Sequence, residues 1–470
     1  MKKLTEGNIY KTFILFSIPM VLAGLLSQTY HLIDTMIAGQ FLGESGLAAI
    51  GATSSLITFI SIIFSGYGNG FSVYIAHLYG AGMIQKIKRG VIVHLLLHMV
   101  LCILVVIPII VFHDPLFDLF QVEEALRHDA FLYLSIYLSG LCFINFTTNG
   151  MLMLNALGIS SYPFFMSVLS AVVNITGNIV SVTVLHMGVA GIALSTVLSA
   201  ALVTLCYVLR LRKCFRDLDP KGKKLHWSFR ETRQGASYAL PTMLQQISMY
   251  VAGLVLAPIL NATGSTALAS YVVTSQILTL LGAMYQSAAR TVTNYTAQSL
   301  GEPHSAPEKR AILRRGVRVG FLQGLLFTLP PLLILLIFTR PLTSLFFAEG
   351  TAEECVALTI FFVRVFLPFV LFKMFDNLFH SFFRGVKAMR LVVLCTVWSS
   401  VVQIIVSWIC TARFGINGYY MGMVASWIAE AALIGVLYLS GAHLPPDLKK
   451  KKAKGKKPSR ETEPASLSAR

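Results

Sequence analysis

Residues 13–38, F-I-L-F-S-I-P-M-V-L-A-G-L-L-S-Q-T-Y-H-L-I-D-T-M-I-A, decide how this chain is to be understood. A helix needs about 20 apolar residues to cross the hydrocarbon core of a bilayer, and this run is long enough. It carries one charged residue, Asp34. A carboxylate near the bilayer centre costs at least ~2.5–3.5 kcal/mol on insertion scales, so such groups face protein or water rather than lipid. Ser27, Tyr30, His31 and Asp34 recur at i, i+3, i+4 and i+7, on one helical face. Leu22, Leu25, Leu26, Leu32 and Ile33 serve the other faces. A polar stripe ending in a carboxylate, on an otherwise apolar helix, points to a site that handles ions.

The remainder of the chain repeats the apolar theme. Of 470 residues, 55% are hydrophobic and 13% charged, against roughly 25% charged in a soluble chain, and the mean hydropathy is +0.71. The fold class is all-α, a polytopic membrane protein. The seven cysteines are scattered without C-x-x-C spacing, so neither a disulfide framework nor a metal site is expected from them. The first run is too long for a signal peptide, contains Pro19 and Asp34, and lacks a small-x-small cleavage site, which makes it an uncleaved first helix. Much of the net charge of +17 comes from a lysine-rich tail, K-K-K-K-A-K-G-K-K at 449–457. Beside a membrane, such a run is a solvated tail that meets anionic lipid, and nucleic acid is not an expected partner.

Apolar runs predict about twelve helices, near 13–38, 47–74, 90–112, 130–152, 162–185 and 189–209, then 236–259, 267–289, 316–338, 356–380, 391–411 and 418–440. With the N-terminus cytoplasmic, all but five of the 38 Lys and Arg residues fall in inner segments. Arg127, Arg340 and Arg413 are outside, and Arg364 and Lys373 lie within a helix. Outer loops hold Glu44, Asp114, Asp118, Glu123, Glu124, Asp129, Glu349, Glu353 and Glu354. That asymmetry predicts both termini on the cytoplasmic side of the cell membrane.

A basic segment, 211–235, separates an N-terminal lobe at 1–210 from a C-terminal lobe at 236–440, and a basic tail occupies 441–470. The two lobes are alike. Pro19 has a counterpart in Pro241, Leu47-Ala48-Ala49 in Leu268-Ala269-Ser270, and Ala76 and Gly80 in Ala297 and Gly301. Met187-Gly188-Val189-Ala190-Gly191 likewise matches Phe414-Gly415-Ile416-Asn417-Gly418. Six helices per half give parallel repeats, which rock about a site near the midplane.

The order S-I-P-M, Q-T-Y-H-L-I-D-T-M-I-A-G-Q-F-L-G, L-A-A-I-G, F-S-V-Y-I-A-H-L-Y-G-A-G and G-V-A-G-I-A-L-S-T resembles that of the multidrug and toxic compound extrusion (MATE) transporters over roughly residues 5–440. The resemblance implies two six-helix bundles around a central cavity, and export of organic cations or other amphipathic molecules against inward H⁺ or Na⁺. It implies a monomer with no cofactor beyond the coupling ion. It places the coupling carboxylate at Asp34, a hinge at Pro19, and polar partners at Asn174, Asn178 and Thr196, with Asn149 and Tyr30 completing the cluster. Many relatives carry Asp where this chain has Asn178, which disfavours Na⁺. The seventh helix, P-T-M-L-Q-Q-I-S-M-Y, has no acid where other relatives carry one, so their full second cation site is absent; Lys373 falls near the family's tenth-helix acid, with Asp376 one turn further.

Each of these residues also has a plainer explanation. Asp34 is either the coupler or a buried structural acid; apolar walls penalise a carboxylate's charge and water restores it, which a proton carrier needs. Asn174 and Asn178 are i, i+4 and also suit interhelical hydrogen bonding. His94 and His98 share that spacing but lack a third metal ligand in view. Lys373 and Asp376, at i, i+3, are set to pair with each other, whereas Glu430 has no evident partner in sequence. Lys373, Asp376, Glu430 and Gln246 therefore form the candidate substrate or second ion site. The alternative function is a flippase for a lipid-linked saccharide or similar amphiphile. Arg364 and Lys373, the intramembrane cations this reading supplies, are few for a polyanionic headgroup. No paired catalytic carboxylates or Ser/His/Asp set points to an enzyme.

Overall fold

The computed structural model describes residues 3–119, 122–219, 229–344, 347 and 353–448; the lysine-rich tail, part of the basic linker, Glu349 and the His31 side chain lie outside the described residues. Every regular element among the described residues is a helix. The N-terminal half comprises α1 (Ile9–Gly80), α2 (Ile84–Val111), α3 (His113–Leu119), α4 (Glu124–Ser139), α5 (Leu141–Ala156), α6 (Ser161–Ile179) and α7 (Gly188–Leu218). The second half comprises α8 (Phe229–Asn261), α9 (Ser265–Gly301), α10 (Ala306–Ile337), α11 (Thr339–Ser344), α12 (Glu353–Val365), α13 (Val370–Gly385), α14 (Met389–Phe414) and α15 (Ile416–Leu439). Ten stretches are long and apolar enough to span a bilayer, and the bent pairs α4–α5 (50°) and α12–α13 (41°) raise the number to twelve. Helices prevail because lipid offers backbone groups no hydrogen-bond partner.

The repeat seen in sequence is written into the backbone. Gly43 (φ 69°) and Gly264 (φ 97°) turn the chain at the first crossing of each half, and Gly188 (φ 59°) and Gly415 (φ 55°) turn it before the last. Glycine populates this left-handed region without a Cβ clash. Both bends also fall at matching places, in the fourth span of each half.

Close packing joins the halves through α1. Phe13, Phe16 and Met20 pack not within their own lobe but among Val292, Tyr295, Leu378, Phe379 and Phe382. Further along α1, a Cβ on Gly70 would lie 2.3 Å from the Tyr238 carbonyl oxygen, so α1 and α8 touch backbone to backbone. At the end of α1 the contact becomes reciprocal. A Cβ on Gly80 would sit 2.0 Å from the Gln298 carbonyl oxygen, and one on Gly301 would sit 2.2 Å from that of His77. Gln298 holds the joint further, donating to the Ala156 carbonyl at 2.9 Å and accepting from the Leu4 N–H at 2.9 Å.

Valine at Gly80 forces the α1–α9 crossing apart and is expected to cost about 1–3 kcal/mol, the usual penalty of overpacking. At Gly435 a Cβ would meet nothing within 4 Å, and alanine is expected to be accepted there without loss. Thermal unfolding of the two purified variants checks both expectations.

Candidate functional site

Asp34 lies on a wall of a cavity of about 930 Å³, along with Ser27, Tyr30, Ser61, Tyr133, Tyr137 and Thr196. Helical spacing puts Met20, Ala23, Gly24, Ser27, Tyr30 and Asp34 on this one face of α1. Behind the wall, α6 contributes two buried amides. Asn178 donates through Nδ2 to Asp34 Oδ1 at 2.5 Å and to Asn174 Oδ1 at 3.3 Å. Asn174 donates to Thr196 Oγ1 at 3.2 Å, and that hydroxyl donates to the Ile192 carbonyl at 3.0 Å. The chain of amide donors is directional, and one end of it rests on the carboxylate. A π-helical turn, Val180–Val184, follows Asn178; such turns often occur beside functional positions.

The structure therefore brings together Asp34, Asn174, Asn178 and Thr196, with Tyr30 on the same wall. Tyr133 and Tyr137, one turn apart on α4, belong with them but were not singled out in sequence. The signal was available in the i, i+4 tyrosines of Y-L-S-I-Y. Asn149 stands apart. It donates to the Asn145 carbonyl at 2.9 Å and approaches His98 Nδ1 at 3.5 Å. There His94 stacks on Tyr67 at 5.0 Å and packs on Phe71 at 4.3 Å. Buried Cys102 and half-buried Cys142 form with His98, and without His94, a group whose ligand atoms lie within 4.8 Å of one another, which sequence spacing did not show.

Pro19 sits where α1 changes its attachment. Ser17 bonds to Thr291 Oγ1 at 3.1 Å and also to Gln323, tying this end of α1 to the C-terminal half. Beyond Met20 the helix face lines the cavity. The backbone through Pro19 remains helical.

A second cavity of about 490 Å³ is lined by Gln246, Lys373, His380 and Glu430. The expected Lys373–Asp376 pair does not form. Lys373 Nζ instead meets Glu430 Oε2 at 3.2 Å, and His380 Nε2 lies 3.1 Å from Glu430 Oε1. Glu430 reaches across from α15, so the partner comes from tertiary packing rather than from the next turn. Asp376 is fully buried and is not among the cavity's lining residues. Arg290 and Arg384, assigned to inner segments by charge counting, also line this cavity, because α9 and α13 extend further than hydropathy indicated.

Two six-span halves around cavities that hold a half-buried acid and charged groups define a membrane transporter. The MatE family profile matches residues 19–180 and 241–409, and the chain belongs to that family. It is 24% identical over 361 residues to the "Probable multidrug resistance protein YoeA" of Bacillus subtilis, covering 74% of this chain and 76% of that one. It is 22% identical over 451 residues to the "Probable multidrug resistance protein NorM" of Thermotoga maritima, covering 92% and 93%. A multidrug resistance MATE transporter of the MOP superfamily, solved in an outward-facing conformation, shares the fold with a TM-score of 0.83 at 22% identity, over 94% of this chain and 99% of that one. The chain is a multi-pass transporter and not an enzyme.

Replacing Lys373 with Met strands the buried Glu430 carboxylate and is expected to destabilise the protein by about 3–5 kcal/mol. Adding Glu430→Gln is expected to restore most of that loss. A double-mutant cycle on thermal unfolding in detergent measures the coupling.

Proposed function

We propose that this chain is a secondary antiporter of the cell membrane that exports cationic or other amphipathic small molecules, with inward H⁺ carried on Asp34 and both termini in the cytoplasm. The observation that carries the reading is the placement of Asp34. Among the described residues it is the only acid lining the larger cavity, and a directional run of amides from Asn178 to Thr196 holds it. A lone carboxyl in such a place can gain and lose one proton as water enters and leaves. Sodium is a poorer fit, since Asn178 turns its N–H groups to Asp34 and Asn174 and so presents donors where a cation wants oxygens. The names of the relatives, multidrug resistance proteins among them, agree with export of small molecules. Pro19, between the segment anchored to α9 and α10 and the segment lining the cavity, is the proposed hinge.

In this cycle, protonation removes the charge that Asn178 holds, α1 shifts about Pro19, and the balance between two cavity conformations moves with it. A second reading, a flippase for a lipid-linked saccharide or similar amphiphile, draws support from the two arginines on the cavity wall that sequence counting had placed in loops.

Asp34→Asn is expected to abolish efflux driven by an imposed pH gradient in proteoliposomes while leaving folding intact. Efflux that persists at the wild-type rate in this variant, or that follows an imposed Na⁺ gradient instead, overturns Asp34 as the proton carrier.

A further inference from the structure

Arg290 of α9 and Arg384 of α13 both face the smaller cavity, and Arg290 also lines the larger one. The two cavities share Met20, Ser65, Asn155, Gln286 and Arg290, so Arg290 stands where they meet. The two guanidiniums put two positive charges on one cavity wall. Neither forms an ion pair with an acid among the described residues. Glu430 is the only acid among the described residues that line the smaller cavity, and Lys373 pairs with one of its oxygens while His380 lies 3.1 Å from the other. Lys373 and Glu430 cancel, and the two arginines leave the wall positive. Asn155, 2% exposed, adds a buried amide at the junction with neither its nitrogen nor its oxygen satisfied.

Two like charges on one cavity wall inside a membrane protein, neither of them in an ion pair, are costly. Arginine presents a planar fork of donors that fits carboxylates, sulfonates and phosphates in bidentate fashion. We infer that Arg290 and Arg384, with Asn155 beside them, form the substrate subsite and accept the anionic group of an amphipathic molecule. The charge that completes the cavity belongs to the substrate. Aromatic and apolar side chains around it, Tyr271, Tyr285, Met249, Met423 and Trp427, receive the hydrophobic part. This inference rests on the transport reading of the same cavities and specifies the amphipathic substrate as an anion.

The anionic group could reach the site on a soluble organic acid or on a lipid headgroup, and the test separates the two sources. Protein in phosphatidylcholine nanodiscs is titrated with 1-pyrenesulfonate and with a pyrenyl trialkylammonium of the same ring system, followed by energy transfer from tryptophan. The wild type is expected to bind the sulfonate more tightly than the ammonium. Arg290→Gln and Arg384→Gln are each expected to weaken sulfonate binding about tenfold, as loss of a charge-assisted hydrogen bond implies. The Lys variants should retain part of the affinity, and ammonium binding should hold or tighten. Sulfonate binding is read with no ion gradient imposed and does not require Asp34 to carry the proton, so failure of proton coupling and failure of this inference are distinguishable. Equal or tighter ammonium binding by the wild type overturns the inference without recourse to any variant. So does unchanged sulfonate binding in the double Gln variant. With binding as expected, dithionite-monitored flipping of fluorescent phosphatidic acid in proteoliposomes assigns the anion to a lipid, and pyrenesulfonate transport without flipping assigns it to a soluble acid.

Discussion

The crossing of α1 and α9 at Gly80 and Gly301 is the constraint on which the rest of the molecule depends. Apolar side chains gain nothing by leaving lipid for a neighbouring helix, so close association in a membrane comes from small residues that let backbones meet. Here the contact is self-complementary. Gly80 lies against Gln298, and Gly301 against His77, the two pairs being equivalent positions of the two repeats. The pattern is that of an isologous interface, drawn within one chain. It sets the two halves at a fixed distance, and buried Gln298 then locks the arrangement to α5 and to the segment before α1. Because α1 belongs to one half and packs on the other, any shift between halves passes through it.

That geometry explains where polarity is tolerated. In the N-terminal half the amide N–H groups of Asn174 and Asn178 form a directional run that ends on Asp34, so the carboxylate is held by a neutral donor. Lys373 and Glu430, in the C-terminal half, neutralise each other across α13 and α15. A paired charge contributes little net stability, but removing one partner is expensive. Arg290 and Arg384 form no ion pair among the described residues. Arg290 lies at the junction of the two cavities, where a bound molecule would touch both halves, and Arg384 lies on the wall of the smaller one.

Much of this was legible in the residues. The spacing of Ser27, Tyr30 and Asp34 identified a cavity-facing stripe, since a helix repeats its faces every three to four residues. Equivalent glycines disclosed the repeat, because left-handed turns and close crossings both exclude a Cβ. Pairings set by tertiary packing were not legible. The i, i+3 rule joined Lys373 to Asp376, and the structure joined it to Glu430 on another helix. Nor did hydropathy locate Arg290 and Arg384, for it ends a helix where apolar residues stop. Helices α9 and α13 continue past that point, and their later turns carry cations into the cavity wall rather than into a loop.

Taken together, the two proposed sites set the electrical character of the cycle. Exchange of one H⁺ for a monovalent cation moves no net charge across the membrane. Exchange of one inward H⁺ for one outward monoanion moves two positive charges inward in effect. With an inside-negative potential, each of those charges is worth about 2.3 kcal/mol per 100 mV. An anion subsite at Arg290 and Arg384 thus makes the potential, as well as the pH gradient, a driving force for export. It also removes the need for the substrate and the proton to compete for one carboxylate. Asp34 and the arginines are on different cavity walls, and α1, anchored on α9 by Ser17 and Thr291, is the element that connects them. Coupling in this arrangement is carried by the position of a helix rather than by displacement of one ligand by the other.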